Sequence, residues 1–277
     1  MQQAAHPGCP SRESFVPPGV FVPLPPCVTF WIGPQLGLLE RACLRSVLRQ
    51  GHRLTLYCYD RPDGVPDGVE IADASAILPR SRVIRHRGGS PSLFSNLFRY
   101  ELQRRGLGTW IDTDVYLLAP LDGKGDHLLG FEAPGVINGA VLRLPPDSPL
   151  LRPLIALFEE REVPLWLPWR ARVAARLRVA RRGRTGLADM PWGTAGPKAL
   201  SWLAGRLGLA DRALPSEVLY PVPWQEAAWI FDPSASLAQK AGPRTIAVHL
   251  WNERIKHLKD RPAPPGSFLA QLQAEGA

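Results

Sequence analysis

Residues 28 to 60 place a strand, a helix and a second strand within about thirty positions, and that order restricts the fold more than any other feature of the chain. The segment VTFWIG, residues 28 to 33, is β-branched and aromatic and stops at Gly33-Pro34, the pattern of a buried strand running into a turn. QLGLLERACLRSVLRQG follows, with Leu36, Leu39, Cys43 and Val47 at helical spacing and Gly51 as the C-terminal stop. RLTLYCYD then alternates as a strand. Strands joined through a helix lie parallel, and the ligands of such sheets gather beyond the carboxyl ends of the strands. Those ends carry Trp31 to Gly33 and Tyr59 to Asp60. The expected fold class is therefore α/β, with a mixed, mostly parallel central sheet flanked by helices.

With 277 residues and 45% hydrophobic content, the chain can bury a large core as one unit. Residues 1–26 are proline-rich without periodic apolar positions and read as an extended tail; the domain runs over 27–262, and 263–277 reads as a C-terminal tail. Cys9, Cys27, Cys43 and Cys58 make no zinc-ligand spacing, which points to a reducing compartment. No basic segment precedes an apolar run, and no apolar stretch is long enough for a bilayer. The expected location is cytoplasmic, with a peripheral position at the inner membrane face considered below. A net charge of +8, carried mainly by arginine, favours anionic or phosphate-bearing partners.

The stretch SLFSNLFRYELQR, after a Gly88-Gly89 loop, reads as a helix with Ser92 as its N-cap. Leu93, Leu97, Tyr100 and Glu101 fall near one side, while Ser95, Asn96, Arg99 and Gln103 form a polar stripe that is either functional or merely solvated. TWIDTDVYLL, residues 109–118, alternates as a strand that points Trp110, Asp112, Asp114 and Tyr116 to one side. An Asp-x-Asp triplet alone means little. Two carboxylates on one face, however, repel unless a cation lies between them, and a hard divalent ion such as Mn²⁺ or Mg²⁺ relieves that repulsion. Such an ion keeps waters and takes phosphate oxygens, which is the chemistry of a nucleotide diphosphate site.

Taken together, WIG at the first strand, a serine and an arginine four residues apart on a helix, a glycine-containing turn and a strand closing in DTDV resemble the DXD-containing sugar transferases of glycosyltransferase family 32. The chain is also similar to the catalytic domain of the large glucosylating toxins. The resemblance spans residues 27 to 144 and, more loosely, 190 to 252. It implies a GT-A fold, a nucleotide diphosphate sugar donor, a divalent metal, and transfer with retention to a saccharide or lipid-linked acceptor, in surface polysaccharide or glycolipid synthesis. Carried over by position, Trp31 stacks on the nucleobase, or is a core tryptophan instead. Ser95, Asn96 and Arg99 hold sugar and diphosphate, Arg99 by the planar fork that suits phosphate oxygens. Asn96 departs from the family's usual aspartate, and Gly106-Leu107-Gly108 from its adjacent glycines. Asp112 meets ribose and sugar hydroxyls and approaches the metal; Asp114 ligates the metal directly. In GVINGAVLRLPP, Asn138 lies beside the reacting sugar, unless Asn-Gly is simply a hairpin turn. MPWGTAGPKALSWL resembles an acceptor-side loop and helix. In TIAVHLWNE, alternation puts Ala247, His249 and Trp251 on one face, with His249 completing the metal shell and Trp251 contacting substrate.

WLPWRARVAARLRVARRGR, residues 166–184, lies outside the resemblance and holds seven arginines in nineteen positions. A helix starting after Pro168 keeps Val173, Leu177 and Ala180 together and suits an anionic membrane surface, although a solvated basic helix has the same pattern. Nucleic acid is the less favoured partner, since a binding module without catalysis leaves Asp112 and Asp114 without a role. A metal-dependent phosphohydrolase or nucleotidyltransferase shares the paired carboxylates but calls for further acidic ligands.

Overall fold

The structure, a computed structural model, describes residues 23–86, 89–122, 125–159 and 161–277. Of the expected N-terminal tail only 23–26 falls among them, and Cys9 and Gly88 lie outside the described residues. The sequence-predicted βαβ unit is present as β1 (Cys27–Trp31), α1 (Leu38–Arg49) and β2 (Leu54–Cys58). The two strands run parallel in register from Cys27↔Leu54 to Trp31↔Cys58, and β3 (Val69–Asp73) adds in parallel beyond β2. After α2 (Ser92–Arg104) the chain returns to the other side of β1 as β4 (Thr109–Ile111), again parallel. The direction of strand succession therefore reverses between β1 and β4, and a crevice opens beyond their carboxyl ends.

After β5 (Val115–Leu117), β6 (Leu128–Ala133) and β7 (Val136–Arg143) form an antiparallel hairpin, and β7 pairs with β4. α3 (Leu151–Ala156), α4 (Trp169–Arg182) and α5 (Pro197–Arg206) precede a short β8 (Ala213–Leu214), which completes the sheet order β3-β2-β1-β4-β7-β6-β8. Four of its six pairings are parallel, as expected. α6 (Ser216–Leu219) and α7 (Leu237–Lys240) lead to β9 (Ala247–His249), which pairs with β5 in a separate two-stranded sheet. α8 (Asn252–Ile255) and α9 (Phe268–Gly276) close the chain.

Alternation along β1 divides the core. Val28 and Phe30 join the cluster under α2, with Phe30 stacked on Phe98 at 4.2 Å, while Cys27 belongs with Leu44, Leu54 and Leu56 under α1. Burial of each such side chain stabilises by about 1.5–3 kcal/mol.

Three local expectations differ. Residues 263–277 are no tail: α9 packs Phe268, Leu269 and Leu272 against Leu39, Ala42 and Cys43 of α1, with Tyr116 and Trp229 on Phe268, because both helices carry an apolar stripe that needs cover. Pro91, not Ser92, stands at the N-cap of α2, and no side chain caps that end. Asn138-Gly139 forms no hairpin turn; the turn falls at Pro134-Gly135, where Gly135 takes the positive φ of 72°, and Asn138 sits inside β7. The two glycines of the 106–108 turn both have positive φ, and a Cβ on Gly108 would stand 2.5 Å from the Pro26 carbonyl oxygen, so both positions require glycine.

Candidate active site

The single strand expected across residues 109–118 is interrupted at the Asp-Thr-Asp triplet. β4 belongs to the large sheet and β5 to the small one, and the chain turns between them, with the Val115 N–H donating to the Asp112 carbonyl at 3.1 Å. A continuous strand would drive the carboxylates into apolar layers; the turn brings both to the junction of the two sheets. Tyr116 consequently leaves their face. It packs edge-on to Phe268 and hydrogen-bonds with Arg49 and Glu275.

Asp112 Oδ1 accepts from Arg99 Nη2 and from Trp110 Nε1, each at 2.6 Å. Arg99 is buried, its Nη1 donates to Asn96 Oδ1 at 3.2 Å, and its guanidinium lies 4.9 Å from the Trp110 ring. The polar stripe of α2 is therefore not a solvated face where Arg99 and Gln103 stand. Gly139 explains its own presence in mid-strand: a Cβ there would come 2.5 Å from Arg99 Nη1. The Asn-Gly pair makes room for a guanidinium rather than a turn.

Asp114 Oδ2 accepts the Asn252 backbone N–H at 2.7 Å and faces His249 Nε2 at 3.2 Å. Asp112, Asp114 and His249 each offer a ligand atom within 4.8 Å of the others'. Burial pushes the Asp114 carboxyl upward, but the charge of His249 and the hydrogen bonds from His249 and Asn252 outweigh it and hold the group at about 2. Burial pulls His249 downward, and Asp114 outweighs that and raises it. Burial raises Asp112 against the opposing Arg99 charge. The pocket thus sets two buried carboxylates against the Arg99 guanidinium and the His249 imidazole. His249 Nδ1 is buried without a hydrogen-bond partner among the described residues. Two carboxylates and an imidazole whose Nε2 faces Asp114 fit a divalent cation, and the nitrogen donor suits Mn²⁺ better than Mg²⁺.

Trp251 lies past the end of β9 in the left-handed region, at φ 55° and ψ 53°, the one non-glycine residue with positive φ among the described residues. That conformation is costly for a tryptophan and persists because its surroundings hold it. Its Nε1 donates to the Val222 carbonyl at 2.8 Å, and its ring stands 4.0 Å from the His249 ring, fixing the imidazole. Asn138 Oδ1 accepts the Ala140 N–H at 2.7 Å, and its amide nitrogen donates to Glu132. Trp31 and Ser95 are placed apart from this cluster. Trp31 lines a cleft of about 560 Å³ with Gly33, Tyr59, Asp60, Arg61 and Arg80, beyond the carboxyl ends of β1 and β2, while Ser95 Oγ donates to the Pro91 carbonyl at 3.4 Å.

The supporting layer contains residues that periodicity alone did not single out. Asn252 Nδ2 donates to Glu40 Oε1 at 2.9 Å, and Lys259 Nζ forms a buried ion pair with the same carboxylate. Glu40 lies four residues after Leu36 and three before Cys43, so its charge sits on the core face of α1; that conflict was the legible signal. Tyr220, whose hydroxyl accepts the Val141 N–H at 3.0 Å, carried no such mark.

Among solved structures, the chain is similar to the apo structure of WbbM, a bifunctional glycosyltransferase, at 13% identity and a TM-score of 0.39, over 92% of this chain and 53% of that one. The chain thus spans about half the length of that neighbour. No curated protein sequence matches it. Residues 210–275 match the alpha 1,4-glycosyltransferase conserved region, the stretch that supplies His249, Trp251, Asn252 and Lys259. The stretch similar to that conserved region furnishes one side of the carboxylate–histidine cluster.

Proposed function

We propose that this chain transfers a sugar from a nucleotide diphosphate donor to a saccharide or lipid-linked acceptor, with retention, in a metal-dependent reaction of surface polysaccharide or glycolipid synthesis. The observation that carries the reading is the meeting of Asp112, Asp114 and His249 beside the crevice between β1 and β4. Asp114, His249 and Asp112 would hold a Mn²⁺ or Mg²⁺ ion, which when bound offsets charge on the leaving diphosphate. Arg99 and Trp110 orient Asp112, and Arg99 in turn is held by Asn96. The Asn252 N–H and the adjoining Trp251 ring orient Asp114 and His249. Trp31 is suited to stack on a nucleobase at the cleft, with Arg61 and Arg80 at its wall. Retention with no assigned protein nucleophile leaves the proton of the acceptor hydroxyl to the departing diphosphate.

A thermal-shift panel of nucleoside diphosphates with and without Mn²⁺ tests this, because a ligand that binds the native state stabilises it by about 2.7 kcal/mol at a hundred times its Kd. A nucleotide-specific rise that requires Mn²⁺ is expected. Equal rises with and without metal, or none with any nucleotide, count against the reading.

A further inference from the structure

The helix α4 turns an apolar ridge outward. Trp169, Val173 and Leu177 recur at every fourth position and are 64%, 45% and 50% exposed, and Ala180 is exposed alongside them. Leu165, 56% exposed, extends the ridge just before the helix. The opposite side of the helix is the one the protein uses for its own packing: Ala175 is fully buried in the core under α2, and Ala171 packs against the same cluster. Helical spacing puts Arg172 and Arg176 on one flank of the ridge and Arg170 and Arg181 on the other. No acidic residue occurs between Glu162 and Asp189. The helix is also firmly seated. Its approach is fixed by Trp166, whose Nε1 donates to the Thr194 carbonyl at 2.9 Å and whose ring lies 5.3 Å from that of Trp202. Gly183 ends it in the left-handed conformation, and Arg178 ties it to the Thr185 carbonyl at 2.8 Å.

A narrow apolar ridge bordered on both sides by arginine, with tryptophan at one end, has the composition of a helix lying in a bilayer interface. We infer that α4 docks the protein on an anionic lipid surface, with Trp169, Val173 and Leu177 entering the headgroup boundary and the flanking arginines meeting lipid phosphates. Charge complementarity selects this occupant. A second copy of the chain, with its net charge of +8, would bring arginine against arginine at such a contact, whereas an anionic bilayer presents both the missing charge and an apolar layer beneath it. The docking surface is independent of the proposed transfer chemistry, so either can fail alone.

The test is co-sedimentation of the full chain with vesicles of phosphatidylglycerol and phosphatidylcholine, compared with phosphatidylcholine alone. Preferential binding to the anionic vesicles is expected, weakening as salt rises, since exposed charges are screened beyond about 10 Å at 0.1 M. Arg172→Gln with Arg176→Gln should lower the partition coefficient roughly tenfold or more, given the contribution of each basic side chain near an anionic surface. Val173→Asp with Leu177→Asp should remove binding even at low salt, with melting temperature and nucleotide response retained, because both positions are exposed. Equal binding to neutral vesicles, undiminished binding of the aspartate variant, or tighter retention on duplex DNA than on vesicles at the same salt would overturn the inference. So would a dimer, seen by sedimentation velocity without lipid, that Leu177→Asp dissolves.

Discussion

Glu40 and Lys259 meet in the interior, the carboxylate with no exposed surface, and the pair reaches the candidate site through Asn252. Removing one partner strands the other charge. Lys259→Ala is expected to lower unfolding free energy by about 3–5 kcal/mol, measured by urea denaturation, whereas Glu40→Gln combined with Lys259→Met should recover most of that loss. If the double variant is no more stable than Lys259→Ala, the pair is not what holds this layer. Asp114→Asn keeps the shape of the side chain while removing its charge. It should lower metal-dependent donor hydrolysis by about two orders of magnitude or more, the scale for losing one preorganised charge-stabilising group, while the protein still melts in one cooperative transition. Turnover at the parent rate in a folded Asp114→Asn protein would remove Asp114 from the metal shell.

At the scale of elements, α9 is held to the body by its apolar face and by a polar cluster at its end, where Glu275 accepts from Arg49 and Tyr116. Burial raises the Glu275 carboxyl, but hydrogen bonds from Gln271, Tyr116 and Arg49 and the Arg49 charge outweigh it and bring it below its usual 4.5. A carboxyl depressed in the folded state contributes stability that is present above pH 4.5 and is lost as pH falls through the folded value. Hydrogen exchange across α9 should therefore accelerate as pH drops below that point, after correction for intrinsic rates, and Glu275→Gln should flatten the dependence. An identical profile in the variant would assign the acid response elsewhere. The helix was not legible as such in the sequence. Nine residues are too few to be stable in isolation, and Phe268, Leu269 and Leu272 become a helix face only against α1, Tyr116 and Trp229.

At the scale of the whole molecule, the crevice between β1 and β4 lies between Trp31 at one strand end and Asp112 just past the other. A nucleotide bound there stabilises the native state as a unit, so the loss of one base-stacking contact should appear in affinity rather than in the fold. Trp31→Ala is expected to weaken nucleoside diphosphate binding by about 1–3 kcal/mol, measured by calorimetry in the presence of Mn²⁺. Unchanged affinity would make Trp31 a packing residue. No helix among the described residues is long and apolar enough to cross a membrane.

The local pattern of the chain by itself determined the βαβ start, the helix that carries Arg99, the closeness of Asp112 and Asp114, and the basic helix after Pro168, because each depends on spacing within one short segment. Only the tertiary structure decided what each residue meets. Trp110, Asp112 and Asp114 read as one strand face, yet the break after Ile111 leaves Trp110 in the large sheet and puts both aspartates in the turn before β5, since buried carboxylates seek polar partners over a continued ladder. Arg99, expected at the sugar and diphosphate, is held by Asp112 and Asn96, and Gly139 is small because that guanidinium fills its space. His249 reaches Asp114 from 135 residues away, and Lys259 reaches Glu40 across 219. Such contacts leave no periodic trace, because their partners are chosen by packing after the elements exist.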